Sequence, residues 1–211
     1  MNDMTQKNKY QLLVLYGKSG AGKDTILNET IEAHPDIFHR VVSCTTRPPR
    51  IGEFDGRDYY FLTTEEMLDE AVIPNNLLEI SKFNHWYYGI TLSALAKDKI
   101  NLAVLNPEGI ANLQKNHLDK IDLYLIEVTV ADEVRLRRAL DREKVCPNCH
   151  EICRRFLADD KMWIDTPITP NLTIFNYDEP KDLMERIETK NLINMIENVL
   201  KDDGCDEAEK D

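Results

Sequence analysis

The residues best suited to chemistry stand in one short run, Gly17-Lys18-Ser19-Gly20-Ala21-Gly22-Lys23-Asp24-Thr25. Glycines let backbone N–H groups turn inward around an oxyanion. The helix start behind them adds partial positive charge, and Lys23 adds a full one. Gly17, Ser19, Gly20, Ala21, Gly22, Lys23, Asp24 and Thr25 are therefore candidate contacts to a nucleotide's phosphates. Such a loop normally ends Gly-Lys-Ser/Thr, with the hydroxyl on Mg²⁺. Here Asp24 follows the lysine and Thr25 comes after it. Thr25 is placed to reach a phosphate, and Asp24 to meet the metal directly or through a water.

The loop needs a strand before it and a helix after it. Leu12 to Leu15 reads as a buried strand within 11–16, and 23–33 as a helix ending before Pro35. Arg40 to Cys44 is a short apolar strand, and the proline- and glycine-rich stretch 45–57 is loop. Tyr59 to Leu62, Leu77 to Ile80 and Trp86 to Gly89 read as strands of a small sheet, with a helix start at Thr64. Then come a helix over 92–99, a buried strand over 100–105, a short helix over 110–116, a strand over 121–130 and a helix over 131–141. Residues 142–153 cannot be one continuous helix, and 154–163 resumes one. A last strand is expected over 171–176, then an amphipathic helix over 180–201 and an acidic, disordered tail over 202–211. Strands alternating with helices predict an α/β fold built on a parallel sheet.

The 211 residues suffice for one sizeable core with small inserted subdomains. There is no apolar run of ~18 residues, which excludes a spanning helix. The polar start, Met1 to Lys9, lacks a signal peptide's apolar region, so a cytoplasmic protein is expected and its five cysteines are not a disulfide framework. A net charge of −12 argues against a general nucleic-acid binder. Yet of eleven arginines, three lie in 47–57 and six in 135–155. An acidic chain with arginine in two short stretches is suited to holding a small polyanion between them.

A second motif lies in the first of those stretches: Ser43-Cys44-Thr45-Thr46-Arg47-Pro48-Pro49-Arg50-Ile51-Gly52-Glu53, then Gly56-Arg57-Asp58-Tyr59. Two arginines three apart on a proline-stiffened loop can hold one phosphate from two sides, and a tyrosine hydroxyl can add a third bond. This run strongly resembles the monophosphate-binding segment of guanylate kinases, and the likeness extends through Glu79, Tyr87-Tyr88-Gly89 and the phosphate loop, covering most of 10–200. The resemblance implies a P-loop NTPase-type core (about 10–42, 92–130 and 170–201), an inserted monophosphate-binding subdomain (about 43–91) and a lid (about 132–160). It implies ATP with Mg²⁺ as donor, GMP or dGMP as acceptor, and a monomer or dimer. It places Arg47, Arg50, Tyr59 and Tyr88 on the acceptor's phosphate and Ser43 and Glu79 at the guanine. A carboxylate suits guanine, which offers N1–H and N2–H₂ side by side.

Three positions depart from the family's pattern. A base-bonding Ser or Thr usually follows the Tyr-Gly pair; here Ile90 does, with Thr91 one further on as the nearest hydroxyl. The family's Asp-x-Asp aligns with Val104 and Asn106, leaving Asn106 at the base and no carboxylate at 104. Asp24 is the candidate to replace that metal-side carboxylate. In the lid, Arg138, Arg142 and Arg155 are the expected catalytic arginines, neutralising charge on the transferred phosphoryl group together with Lys23. The lid also carries Cys146-Pro147-Asn148-Cys149-His150-Glu151-Ile152-Cys153. Cys146-x-x-Cys149 is half of the usual four-cysteine Zn²⁺ pattern, and Cys153, with His150 or a residue distant in sequence, is the candidate to complete a tetrahedral site. Three unligated thiols and a redox-sensitive lid are the other readings; the run also spells a c-type haem attachment, against which an acidic kinase-like chain speaks. A related kinase for another nucleotide or a phosphorylated sugar is the alternative function. A non-catalytic, protein-binding relative is the second, against which Gly17, Gly22 and Lys23 speak.

Overall fold

The computed structural model describes residues 9–50, 52–69, 77–83, 85–142 and 148–177. The expected helix over 180–201 and the acidic tail lie outside them.

Five strands form a wholly parallel sheet: β1 (Tyr10–Tyr16), β2 (Phe38–Arg40), β7 (Ile100–Val104), β8 (Ile121–Thr129) and β9 (Leu172–Phe175), in the order β2-β7-β1-β8-β9. A strand buried on both faces should read as a continuous apolar run, and β1 does. Leu13 and Leu15 pack on one face with Ile26 and Leu27 of α1 (Lys23–Ala33). Leu12, Val14 and Tyr16 pack on the other with Ile110 and Leu113 of α3 (Pro107–Asn116). Each crossover helix thus covers one side of the sheet, and the carboxyl ends of β1 and β7 meet where the phosphate loop begins.

A second, four-stranded sheet is inserted after β2. Its order is β4-β3-β6-β5, from β3 (Cys44–Thr45), β4 (Tyr60–Phe61), β5 (Leu77–Phe83) and β6 (Trp86–Thr91). The single strand expected over 40–44 is instead two: β2 ends at Arg40, and β3 starts at Cys44 in the other sheet. A short α2 (Thr64–Leu68) follows β4, started by a Thr63–Glu66 capping box.

The helix expected over 92–99 is only a 3₁₀ turn at Leu92–Ala94. The buried Asn101 explains it. Its side chain accepts from Ala96 N (2.7 Å) and donates to the carbonyls of Ala96 (2.8 Å) and Gln11 (3.0 Å), taking over bonds a helix would have made. Two further helices are described, α4 (Asp132–Arg142) and α5 (Cys149–Asp165). The second starts five residues before the expected 154, because the Asn148 side chain caps it at Glu151 N.

Candidate active site

Between β1 and α1 the chain turns through Gly20 (φ +81°) and Gly22 (φ +95°), a left-handed conformation that suits glycine. A side chain at Gly17 would strike the Val128 carbonyl, and one at Gly20 would meet Arg135 O at 2.8 Å. Lys23 folds back over the loop and donates from Nζ to Gly17 O (2.7 Å) and Lys18 O (3.3 Å). Loss of water around it lowers its pKa, partly offset by Asp24 and Asp159.

The loop is braced from behind by the lid helices. Asp159 of α5 accepts from Ser19 N (2.6 Å) and from Arg135 Nη1 (3.4 Å). Arg135, only 1% exposed, also bonds Asp132 at 2.7 Å, donates to Ser19 O and stacks over Phe156. Arg138 aims its guanidinium at the carbonyls of Gly20, Ala21 and Asn176. Its observed contacts are therefore with the backbone of the loop and of the segment just after β9. Arg142 and Arg155 line an open cavity with Gly22, Lys23, Asp24 and Thr25. Arg154, counted in the second arginine stretch of the sequence but given no role of its own there, lines it too. Glu151 holds both α5 arginines, bonding Arg154 at 2.6 and 2.7 Å and Arg155 at 2.8 Å. The Arg154 bond first, then Arg155, hold its carboxyl down at about 2 despite slight burial.

Across the cavity stands the second arginine motif. Arg47, buried on its loop, makes a two-pronged contact with Glu53 (2.6 and 2.8 Å) and lies 4.8 Å from the centre of the Tyr59 ring. Glu53 also accepts from Arg50 N at 2.8 Å, so one carboxylate sets the loop that carries both arginines. Burial lowers the pKa of Arg50, and the charges of Arg47 and Arg155 lower it further. Tyr59 and Tyr88 meet edge to face at 6.2 Å. A cavity of about 890 Å³ lined by Asp24, Ser43, Arg47, Arg50, Tyr59, Val104, Arg142 and Arg155 joins the two halves.

Its inner end is a smaller space of about 140 Å³ lined by Ser43, Glu79, Ser81, Tyr88 and Asn106. Glu79 is 3% exposed, and neither carboxylate oxygen has a hydrogen-bond partner of ordinary geometry. Burial, then the charge of Glu108, push its carboxyl up to about 8, with Ser81 pulling the other way. Gly109 makes room for it: a side chain there would meet Glu79 Oε2 at 2.8 Å. Asn106 lies beside it and caps α3, accepting from Gly109 N at 2.8 Å.

Thr91, expected at the base, is a correction. Alternation along β6 puts Tyr88 and Ile90 on the face that pairs with Ser81 and Glu79, and Thr91 on the opposite one, opposite Leu77. There it accepts from Ser93 Oγ at 3.2 Å and does not line the inner cavity. Ile90 is fully buried in the core. Ser81 is the hydroxyl that the sequence reading missed, although its spacing of two from Glu79 in a strand was the signal for it.

Of the lid's metal candidates, Cys149 and Cys153 are exposed thiols one turn apart on α5, and His150 is exposed beside them. Among the described residues no three His, Cys, Asp or Glu side chains gather to hold a metal. Cys146 lies outside the described residues.

Comparison with known proteins joins these features. The family model described as Guanylate kinase matches residues 9–152, from β1 into α5. The chain belongs to the guanylate kinase family. Among its relatives are guanylate kinases of Gloeobacter violaceus (53% identical over 79 residues, 37% of this chain and 38% of that protein) and Sus scrofa (35% over 117 residues, 54% and 59%). The Thermotoga maritima guanylate kinase is 34% identical over 142 residues, 64% of this chain and 67% of that protein. The matched stretches therefore span about two fifths to two thirds of these relatives. A crystal structure of guanylate kinase from Anaplasma phagocytophilum shares the fold, with a TM-score of 0.57 at 22% identity over 95% of this chain and 89% of that one. Among the described residues of this family member, no helix is long and apolar enough to cross a membrane.

Proposed function

We propose that this chain transfers the γ-phosphoryl group of ATP to GMP or dGMP, giving the diphosphate. The observation that carries the reading is Glu79: a buried carboxylate with two unpartnered oxygens, on a small space that shares Ser43, Tyr59 and Val104 with the arginine-lined cavity. An unpaired buried acceptor pair is costly, and guanine's N1–H and N2–H₂ are the donors that relieve it. With the base on Glu79, Ser43 and Asn106, the acceptor's phosphate falls to Arg47, Arg50, Tyr59 and Tyr88.

ATP's phosphates then lie on the loop from Gly17 to Thr25. Lys23 stays with the charge on the γ-phosphoryl group, and Arg142 and Arg155 close from the lid side. Arg138 acts on the loop's backbone rather than on the phosphoryl group. Asp24 and Thr25 open the first turn of α1 and line the same cavity. Their oxygens fit a Mg²⁺ ion that keeps most of its ligands as waters and phosphates. That ion supplies charge neutralisation between the β and γ phosphates when bound. No general base is needed, because the acceptor phosphate is already an anion; catalysis is positioning and electrostatics. The lid cysteines carry no step of this reading.

A coupled assay with Mg-ATP and GMP, dGMP, AMP, UMP, CMP and dTMP tests it. Turnover with GMP and dGMP, at least ~100-fold above the others, is expected for a buried polar base contact. Preferential turnover of another base would overturn the role of Glu79. No turnover with any, despite ATP binding, would leave a non-nucleotide acceptor; no ATP binding would leave a non-catalytic relative.

A further inference from the structure

Glu79 is not the only polar group on its face of β5. Ser81 follows two residues later, is equally buried at 3% exposure, and lines the same inner cavity. Strand pairing sets Glu79 opposite Ile90 and Ser81 opposite Tyr88, so all four share one face.

The direction of the Ser81 hydroxyl follows from its neighbour. Gly109 N–H can only donate, so the Asn106 atom that receives it at 2.8 Å is Oδ1. The other end of that amide, Nδ2, can also only donate, and its acceptor is Ser81 Oγ at 3.2 Å. A hydroxyl that accepts there must send its own hydrogen elsewhere. What remains is the cavity side where the Glu79 carboxylate stands. In the empty site the hydrogen is directed at that carboxylate, whose pKa it lowers, and it is released to a ligand once the ligand's own donors occupy Glu79. Ile90, wholly enclosed in the core, contributes no polar atom to this space.

We propose that Ser81 is a base-reading residue, donating its hydroxyl hydrogen to the ring carbonyl adjacent to the N–H that Glu79 accepts. The inference rests on the guanine acceptor proposed above and deepens it. Guanine presents N2–H₂, N1–H and C6=O in a row, two donor positions and an acceptor. The face of β5 presents the complement, a two-oxygen acceptor and then a donor. Adenine is the poorer match, since its unprotonated N1 offers no hydrogen to the charged carboxylate and its amino group sets a donor against the hydroxyl's hydrogen. Asn106 is the positioning residue, since it fixes the hydroxyl's direction while capping α3.

The test is equilibrium binding of three monophosphates to wild type and Ser81→Ala. GMP and inosine monophosphate both carry the C6 oxygen; the riboside monophosphate of 2-aminopurine lacks it and the N1–H with it, so it binds the wild type more weakly and is read only as the ratio of variant to wild-type affinity. Loss of one hydrogen bond to the oxygen should weaken GMP and inosine monophosphate alike, by about tenfold. The affinities for the 2-aminopurine nucleotide and for ATP should not move, while the melting temperature falls modestly because Asn106 Nδ2 loses its acceptor. Equal weakening of all three, or of none, would overturn the assignment while leaving the guanine reading intact. Failure of the wild type to bind GMP while binding ATP would overturn the guanine reading and this inference with it. Ser81→Cys keeps the volume with a weak donor and is read the same way should the alanine variant fail to fold.

Discussion

At the residue scale the decisive group is Glu79. Its carboxyl holds a proton up to about pH 8 in the folded chain, against 4.5 for an ordinary glutamate. The proton is therefore bound more tightly folded than unfolded. The stability this contributes is complete below about pH 4.5 and is lost as pH rises through about 8. Guanine needs the charged form, because only that form accepts at both oxygens. GMP binding at pH 7 should thus release a proton, and affinity should strengthen from pH 6 towards 8 and then level. Calorimetry in buffers of different ionisation enthalpy measures this directly; proton uptake, or no exchange, would sink it. Glu79→Gln should weaken GMP binding by about 10²-fold and flatten its pH profile, since an amide sets a donor against guanine's donors. The same variant should melt higher than wild type at pH 8.5, where a buried charge is no longer enforced. At the mouth, Arg50→Ala should lower kcat/KM for GMP by ~10²-fold or more with ATP affinity unchanged, because its charge meets the acceptor's phosphate.

At the scale of elements, α5 is both a lid helix and the back wall of the phosphate loop. Asp159 joins the two roles, bonded to Ser19 N at 2.6 Å and to Arg135, itself sealed from water. Asp159→Ala leaves Arg135 with Asp132 and the Ser19 carbonyl, so the loss should fall below that of a fully orphaned buried charge. About 2–3 kcal/mol is expected by urea denaturation; a loss under ~0.5 kcal/mol would show that the loop does not depend on α5. What the sequence revealed follows the same division. The phosphate loop was legible because its glycines, lysine, strand and helix are consecutive. The Arg47–Arg50 motif was legible because proline fixes its loop locally. The 3₁₀ turn at Leu92–Ala94 was not, because the Asn101 side chain that replaces helix bonds gives no periodic signal. Thr91 was expected at the cavity that Ser81 in fact lines, for want of a pleat: nearness to the Tyr-Gly pair in sequence does not say which face a strand residue takes. The bracing of the loop by Asp159 was hidden for another reason, since 140 residues separate it from Ser19.

At the scale of the whole molecule, the proposed reaction asks a chain of net charge −12 to take up two anionic nucleotides. The global field repels them, but it acts over distances that salt screens, about 10 Å at 0.1 M. The cavity concentrates Lys23, Arg47, Arg50, Arg142, Arg154 and Arg155 on one lined space, where short-range attraction is least screened. Local attraction wins, at a cost to the empty protein. Burial together with Arg47 and Arg155 already depresses the Arg50 pKa, the mark of a cation held where it is not at ease. A polyanion that fills the space should relieve this. The chain should therefore melt at a higher temperature in pyrophosphate than in chloride at matched ionic strength, by an increment that grows with concentration as specific binding requires. Arg50→Ala should melt no lower than wild type in chloride and should lose most of the pyrophosphate increment, the pattern expected where a binding residue is kept against stability. A variant that melts lower in chloride yet keeps the full increment would show that Arg50 serves the fold of its loop rather than the anion.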